Sequence, residues 1–244
     1  MRRPRLAVLN ASHGDTNTKR NFRRELDADL AEFEVTEGDL PPVDGAAAAS
    51  RYDGVVVTGS RASVYWEEAW IPPTREWVRD AAESGLPCLG VCWGHQLLAD
   101  ALGGTVEPMG EYEIGYRTVE RVGDSVLLEG LDDAFTAFTT HSDAVTELPP
   151  GAEPIAENDY SVHGFRLGTA FGVQFHPEYD PETAEEVTRG KEGQLSPERI
   201  ESVVEGITPE AYDAACEAKA LFDNFLSVVE RQCREGTVDA ASAD

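Results

Sequence analysis

The first hundred residues alternate short apolar runs with longer amphipathic segments. Three consecutive valines within Tyr52–Gly59 suit a strand that is covered on both faces. Strands that alternate with helices are typical of a parallel sheet with helices on both sides. The pattern predicts strands at Arg5–Ser12, Phe33–Gly38, Tyr52–Gly59 and Leu86–Val91, and helices at Thr18–Leu30, Trp66–Glu83 and Trp93–Leu102.

The second half of the chain has a different pattern, in which short apolar runs are separated by turns. It predicts a β-rich second half of the same sheet, with strands at Tyr116–Val122, Ala134–Thr140, Ala152–Glu157, Val162–Leu167 and Thr169–Phe175. Beyond Pro181 the pattern becomes helical and ends in a long amphipathic helix, Pro209–Arg234. No repeat or low-complexity linker divides the chain. We therefore expect residues 1–244 to form a single α/β domain with an open, mostly parallel central sheet flanked by helices.

The charge of the chain limits the kinds of partner that it can bind. It has 46 acidic and 20 basic residues, for a formal net charge of −26, which disfavours nucleic-acid binding through a basic face. The acidic residues are spread along the whole chain, which indicates a hydrated surface that salt must screen and suggests a halophilic source. No apolar run approaches the roughly 18 residues of a membrane span, and the basic start is not followed by a signal-peptide apolar segment. We expect a cytoplasmic protein that does not bind membranes.

One of the four cysteines stands in a distinctive setting. Cys92 lies between Gly90 and Gly94, where an apolar strand meets a helix, and this is the thiol counterpart of the nucleophile elbow. Such an elbow places its side chain at the carboxyl edge of the sheet, where open α/β folds bind their ligands. The pattern by itself is also compatible with a cysteine that is buried for packing, which is how we interpret Cys88, Cys216 and Cys233.

A second motif lies at the end of a predicted buried strand. His176 and Glu178 are two positions apart in an extended segment, so they project to the same side, and Pro177 favours extended backbone at His176. A cysteine hydrolase needs such a histidine to carry the proton and a carboxylate to orient it. Alone the tripeptide is typical of a solvated turn. Together with a cysteine elbow about eighty residues earlier, it predicts a triad of Cys92, His176 and Glu178.

These motifs resemble a known family. Gly90–Gln96 and Gln174–Glu178 are similar to the two signatures of the class I glutamine amidotransferases, a Gly-x-Cys-x-Gly-x-Gln elbow and a Phe-His-Pro-Glu end. Further segments resemble the free-standing branch of that family, which includes γ-glutamyl peptidases: Thr58–Tyr65, Trp70–Pro72, Glu113–Gly115 and His141–Asp143. The match runs from the first strand to about Glu178 and resumes near Leu221–Phe225. The resemblance covers most of the chain and implies a flavodoxin-like fold.

The resemblance also implies roles for individual residues. Cys92 would be the nucleophile, His176 the general acid and base, and Glu178 its orienter. Backbone amides around Ser60 and Trp93 would form the oxyanion hole. The glutamine would contact Gly59, Gln96, His141 and Ser142. No metal or organic cofactor is expected for hydrolysis through a γ-glutamyl thioester.

The substrate and the partner remain open at this point. The substrate would be glutamine or another γ-glutamyl amide. If ammonia is the useful product, a separate synthase subunit must receive it, since the chain has no Gly-rich nucleotide-binding loop. One alternative is the glutaminase subunit of a two-chain GMP synthase. Two features weigh against it: Gly59-Ser60-Arg61 stands where many members have Gly-Gly-Pro, and the stretch Thr183–Gly206 is an addition. Another is a non-catalytic binding or regulatory module, which the intact triad disfavours.

The stretch Thr183–Gly206 is itself a candidate functional element. It is glycine-flanked and polar, and we expect it to have few apolar anchors and to be mobile. Because it follows His176 and Glu178 directly, it is placed either to cover the cleft or to meet a partner, or else it is an ordinary surface connection.

Overall fold

A computed structural model describes residues 2–241 of the chain, and the side chains of residues 2–234. Its strands are β1 Arg5–Asn10, β2 Asp29–Glu34, β3 Gly54–Val57, β4 Cys88–Val91, β5 Thr105–Arg121, β6 Ala134–Glu147, β7 Glu153–Glu157, β8 Val162–Leu167 and β9 Ala170–Val173. Its α-helices are α1 Thr16–Glu25, α2 Ile71–Glu83, α3 Trp93–Ala101, α4 Pro181–Arg189, α5 Pro197–Glu205, α6 Pro209–Ala215 and α7 Ala220–Ala241.

The strands form one sheet in the order β2-β1-β3-β4-β9-β8-β7-β5-β6. The strands from β2 to β9 in that order are parallel, and every later pairing is antiparallel. This confirms the predicted α/β architecture with a β-rich second half. Because β4 and β9 are parallel neighbours, their carboxyl ends lie about 5 Å apart at one edge of the sheet. The topology therefore joins two motifs that are far apart in sequence.

The core has two large apolar layers, one on each face of the sheet, and a third, smaller cluster where α4 and α5 pack on Ile114 and Phe138. Neighbouring positions of a strand alternate between them: Val56 packs into one layer, while Val55 and Val57 pack into the other. Helix α7 covers the first layer through Leu221, Phe222, Phe225 and Val229. Helices α2 and α3 cover the second layer through Ile71, Val78, Leu97 and Leu98. The central strands are thus buried on both faces, and this packing fixes the positions of their carboxyl ends.

Several predicted boundaries are wrong. Helix α1 ends at Glu25 rather than Leu30, because the chain becomes extended at Leu26, and the second strand begins at Asp29. The second helix begins at Ile71, where the two following prolines fit a first turn that needs no amide donors. The predicted final helix is divided into α6 and α7 by a 3-10 turn, Cys216–Lys219.

The antiparallel strand β5 is longer than predicted, with 17 residues. Its first half is mostly exposed or half-buried, so no apolar alternation marks it in the sequence. Its pairing with β6 is what extends it.

The stretch from Thr183 to Gly206 has more buried anchors than expected. It consists mainly of helices α4 and α5, which bury Thr183, Ala184, Thr188, Ile200 and Val203. Only residues 190–196 connect the two helices without α-helical structure. Of these buried residues only Ala184, Ile200 and Val203 are apolar, so the apolar anchors are few, and the polar Thr183 and Thr188 supply the others.

None of the helices in the described part of the chain has the length and apolar character required to cross a lipid bilayer.

Candidate active site

Cys92 occupies a sharp turn between β4 and α3. Its backbone has φ 54° and ψ −105°, a conformation that is rare for a residue with a side chain. The flanking glycines permit the turn, since a Cβ on Gly90 would lie 2.3 Å from the carbonyl oxygen of Gly94. A Cβ on Gly94 would lie 2.2 Å from the carbonyl oxygen of Val57 in β3. The strand and helix can approach this closely only without side chains at both positions, as in a nucleophile elbow.

The His176–Glu178 pair is buried at the end of the neighbouring strand β9. The Nδ1 atom of His176 lies 2.8 Å from Oε1 of Glu178. The backbone amide of His176 donates to the carbonyl oxygen of Phe138 at 2.8 Å, and the imidazole stacks on Tyr179 at 4.1 Å between ring centroids. Arg24 of α1 donates to the carbonyl oxygen of Glu178 at 2.6 Å. The imidazole is thus fixed through Nδ1, while its Nε2 has no hydrogen-bond partner of ordinary length among the described residues.

Cys92 and Glu178 determine the protonation of His176. Burial in itself lowers the pKa of His176, but the charges of Cys92 and Glu178 and the hydrogen bond to Glu178 outweigh it and raise the pKa to about 10. The neighbouring charges thus favour the protonated imidazole over the neutral one. Cys88, four residues before Cys92, has no such neighbour, and burial alone raises the pKa of its thiol to about 12. The three predicted triad residues are brought together in one buried group.

The residues of the predicted oxyanion hole also lie at this position. Trp93 is the first residue of α3, so its amide has no acceptor within the helix. Gly59 follows β3 and lies against the triad: a Cβ at this position would be 3.0 Å from Cε1 of His176 and 3.7 Å from Cβ of Cys92. Ser60 comes next and lines the cavity beside Cys92. That these amides bind an oxyanion remains a prediction.

Two cavities meet at Cys92. The smaller has a volume of about 120 Å³ and is lined by Gln96, His141 and Ser142, three of the four predicted substrate-binding residues. The larger has a volume of about 520 Å³ and is lined by the fourth, Gly59, and by His176. Both are lined by Ser60, Arg61, Cys92, Thr140 and Lys191. The predicted pocket residues are thus divided between two spaces.

The side chains of Gln96 and His141 are held by protein partners. Gln96 Nε2 donates to the carbonyl oxygen of Asp143 and to Oε1 of Gln174, both at 2.9 Å. His141 Nδ1 lies 2.9 Å from the carbonyl oxygen of Asp143, and its Nε2 lies 2.8 Å from Oε2 of Glu113. Both ring nitrogens of His141 are therefore occupied, and its imidazole is not free to bind a substrate. This segment shapes the smaller cavity chiefly through its backbone and Ser142.

Behind the smaller cavity lies a buried network that sequence reasoning missed. Glu113 is fully buried, and its Oε2 contacts Nε2 of His141 and, at 3.1 Å, Nε2 of His163. Its Oε1 accepts a hydrogen bond from Asn158 at 2.7 Å. Burial raises the pKa of Glu113, but hydrogen bonds and charges from the two histidines outweigh it and hold the pKa well below its usual range. Only Glu113 and His141 had a signal in the sequence, through the family resemblance.

The network is also a group of potential metal ligands. Its carboxylate and imidazole ligand atoms lie within 4.8 Å of one another, and no other such group occurs among the described residues. Each of these atoms already has a hydrogen-bonding partner within the network. These three ligand atoms are therefore already engaged with one another and support the 141–143 segment, while the buried Nδ1 of His163 has no hydrogen-bond partner among the described residues.

Comparisons with known proteins agree with this geometry. The profile of the family described as "Glutamine amidotransferase class-I" matches residues 14–189. A GMP synthase [glutamine-hydrolyzing] from Thermomicrobium roseum is 39% identical over 144 residues, which cover 57% of this chain and 26% of that protein. The GMP synthase of Helicobacter acinonychis is 36% identical over 126 residues, covering 51% of this chain and 24% of that protein. The chain thus spans about a quarter of the length of these relatives.

Solved structures share the fold. A glutamine amidotransferase from Thermotoga maritima superposes with a TM-score of 0.77 at 23% identity, covering 93% of this chain and 99% of that one. A glutamine amidotransferase from Methylobacillus flagellatus gives a TM-score of 0.76 at 20% identity, covering 93% of this chain and 95% of that one. At these identities the likeness concerns the fold alone.

Proposed function

Because the chain belongs to the class I glutamine amidotransferase family, we propose that it hydrolyses the γ-carboxamide of glutamine, or of a related γ-glutamyl amide, through a thioester on Cys92. One observation carries the proposal. Cys92 is held in a positive-φ backbone conformation beside a buried His176–Glu178 pair, where two cavities meet. A cysteine that served only packing would need neither the strained backbone nor the charged neighbours.

The first half-reaction uses each member of the site. The Cys92 sulfur attacks the amide carbon, and the oxygen that becomes negative accepts hydrogen bonds from the amides of Ser60 and Trp93. Each such donor contributes roughly 3 to 4 kcal/mol to stabilisation of the transition state in comparable sites. His176 gives its proton from Nε2 to the leaving nitrogen, and the carbon–nitrogen bond breaks. Glu178 keeps the imidazole oriented and stabilises its charge.

The second half-reaction regenerates the enzyme. Water attacks the γ-glutamyl thioester, and His176 accepts a proton from it as the carbon–sulfur bond breaks. Glutamate leaves, and the Cys92 thiolate and the protonated His176 are restored. Residues of the chain supply every proton transfer, so the cycle uses neither a metal nor an organic cofactor.

Labelling with a glutamine-like diazo-ketone tests the proposal directly. We expect the reagent to modify Cys92 alone in the protein purified in high salt, as measured by peptide mass spectrometry. Cys92→Ala should lose both labelling and ammonia release from glutamine while it keeps its circular dichroism spectrum. His176→Ala should lose more activity than Glu178→Gln, because the proton carrier has no substitute whereas the orienter has. Labelling of Cys88 in place of Cys92, or full activity of Cys92→Ala, would overturn the proposal.

A second candidate is the glutaminase subunit of a two-chain GMP synthase. It is favoured by relatives named GMP synthase, of which the chain matches about a quarter. In that role ammonia would pass to a separate synthase chain. Addition of a candidate synthase chain with its nucleotide substrates should then stimulate glutamine hydrolysis several-fold. Hydrolysis that is unchanged by the synthase chain would argue against this candidate and leave the hydrolase proposal intact.

A further inference from the structure

The contacts of His141 need one proton more than a neutral imidazole and a carboxylate supply. Nδ1 of His141 lies 2.9 Å from the carbonyl oxygen of Asp143, and because a carbonyl only accepts, this nitrogen carries a proton. Nε2 lies 2.8 Å from Oε2 of Glu113. A neutral imidazole has only one N–H group, so its Nε2 would direct a lone pair at the carboxylate oxygen. Either a further proton or a metal ion therefore lies between these two atoms.

A second imidazole approaches the same carboxylate oxygen. Nε2 of His163 lies 3.1 Å from Oε2 of Glu113. Nδ1 of His163 has no hydrogen-bond partner among the described residues, so this nitrogen can either carry the ring proton or leave it to Nε2. Nε2 can thus offer a proton to the carboxylate or a lone pair to a metal ion. One carboxylate oxygen and two imidazole nitrogens converge, all within 4.8 Å of one another.

The spacing of these three atoms is close to that of metal ligands. Ligand atoms bound to one tetrahedral zinc ion at about 2.0–2.1 Å lie roughly 3.3 Å from one another. The two contacts of Glu113 Oε2 with the imidazoles measure 2.8 Å and 3.1 Å. Each falls short of the zinc spacing by roughly half an ångström or less. Small side-chain shifts would therefore admit an ion.

Three strands hold the ligand atoms in place. Glu113 on β5 is the direct pairing partner of His141 on β6, and His163 lies on β8. All three side chains are buried. The far side of each of the first two is tied as well, since His141 Nδ1 donates to the Asp143 carbonyl and Asn158 donates to Oε1 of Glu113 at 2.7 Å. Histidines and carboxylates that bind metals in proteins usually make such outer hydrogen bonds.

We infer that Glu113, His141 and His163 bind one divalent transition-metal ion through Oε2 and the two Nε2 atoms, in place of the protons that otherwise bridge them. Imidazole nitrogens favour Zn²⁺ and similar ions over Mg²⁺ and Ca²⁺, which take oxygen ligands. Neither Cys92 nor the His176 imidazole belongs to the group, so the ion has no part in the proposed hydrolysis. It would fix the 141–143 segment beside the smaller cavity, and its binding would release protons.

Titration with CoCl₂ followed by absorbance tests the site. The metal-free Cys92→Ala variant is used in high salt, so that the reactive thiol does not compete. We expect one Co²⁺ per chain, with visible bands of nitrogen and oxygen ligation, no sulfur-to-cobalt charge-transfer band, and displacement by Zn²⁺ but not by Mg²⁺. Adding His163→Phe keeps a ring against Phe175 and should weaken binding about a hundredfold or more, since loss of even an outer partner costs tenfold to a hundredfold. Adding His13→Gln, which removes an exposed imidazole elsewhere, should leave the affinity unchanged.

Two measurements do not depend on the folding of the His163 variant. Zn²⁺ at about one hundred times its Kd should raise the melting temperature of Cys92→Ala by roughly 5–10 °C. In the imidazole ¹⁵N spectrum of the same protein, Zn²⁺ should shift the Nε2 resonances of His141 and His163. The resonances of His13 and His95, which lie outside the group, should stay in place.

The outcomes bear on the site alone, because all binding is measured in a variant that cannot form the thioester. If Co²⁺ and Zn²⁺ bind His163→Phe as tightly as its parent, or leave the His141 and His163 resonances unmoved, the metal site is wrong and protons alone bridge Glu113 to the histidines. The proposed hydrolysis stands in either case. Its own failure would appear in the labelling of Cys92 and in ammonia release, and would leave the metal titration unaffected.

Discussion

Replacement of Glu113 by glutamine keeps the size of a fully buried side chain but changes what it can accept. The carboxylate receives three hydrogen bonds, from His141, His163 and Asn158. A glutamine offers one acceptor oxygen and one NH₂ donor in the same space. If both imidazoles keep donating from Nε2, at least one of the three donors would then face another donor; if both instead accept at Nε2, the charged interaction with residue 113 is lost.

Each rearrangement of the surrounding groups loses an interaction. If the glutamine oxygen faces the histidines, its NH₂ group meets the NH₂ group of Asn158. Asn158 cannot turn its amide over without loss, because its Oδ1 accepts the backbone amides of Tyr160 at 2.9 Å and Ser161 at 3.2 Å. A buried polar group without a partner costs roughly 1–3 kcal/mol, and loss of one member of a buried ion pair costs about 3–5 kcal/mol. We therefore expect Glu113→Gln to lower the free energy of unfolding by about 3 kcal/mol.

The pH dependence has a defined sign. The pKa of Glu113 is lowered in the folded state. The contribution of the Glu113 carboxylate to the free energy of unfolding is therefore complete above the unfolded pKa of a glutamate and is lost as the pH falls through the folded pKa. The part of the stability difference between the parent and Glu113→Gln that comes from ionisation of Glu113 should therefore narrow in acid. It should hardly respond to salt, because buried pairs are poorly screened.

Denaturation by guanidinium chloride in buffers of fixed high salt measures the effect, with Glu107→Gln as the control. Glu107 is an exposed residue of the same strand, so this variant should stay within about 0.5 kcal/mol of the parent. The melting temperature of Glu113→Gln should fall by roughly 6–12 °C. Its KM for glutamine should also rise, since Glu113 supports the 141–143 segment through His141. A variant as stable as Glu107→Gln would refute the reasoning.

Three further predictions follow from other parts of the molecule. Gly94→Ala should lower the free energy of unfolding by at least about 3 kcal/mol, because its Cβ would meet the Val57 carbonyl. Gly190→Ala, whose Cβ would make only ordinary contacts, should be nearly neutral in the same unfolding assay. Equal stabilities of the two variants would contradict the elbow geometry. Imidazole ¹⁵N resonances should show a charged His176 at about pH 8 in the parent and a neutral His176 in Cys92→Ala. Without the charge of Cys92, the lowering of the His176 pKa by burial is opposed only by Glu178. A neutral ring in the parent would refute this assignment. With a net charge of −26, the melting temperature should rise steadily with KCl, and a flat salt response would remove the argument for a halophilic source.

The sequence predicted the parts of the fold that depend on local pattern. The valines of β3 and the glycines around Cys92 each carry a local reason for their structure, and both were identified correctly. The division of the last helix at Cys216–Lys219 has no glycine or proline to mark it and depends on tertiary packing. The first half of β5 was missed because its exposed residues lack alternation.

The candidate site shows the same limit. The positions of Cys92, His176 and Glu178 were predictable because each stands in a motif that is complete within a few residues. The hydrogen bonds that fix them were not, since Arg24 reaches the Glu178 carbonyl from 154 positions away. His163 and Glu113 are in contact although 50 positions separate them in the sequence, and no local pattern predicts such a contact. The larger cavity could not be predicted from the sequence either, because it is formed by loops that follow different strands.

The backbone at Cys92 bears on the choice of amino acid at that position. With φ at 54°, a side chain there carries strain of order 1–3 kcal/mol, which glycine would avoid. Cys92→Gly would therefore relax the turn, at the loss of one small side chain. A protein that used this turn only as a hinge between strand and helix would be more stable with glycine. A cysteine at this position therefore costs stability, and the proposed use of its sulfur as the nucleophile would account for that cost.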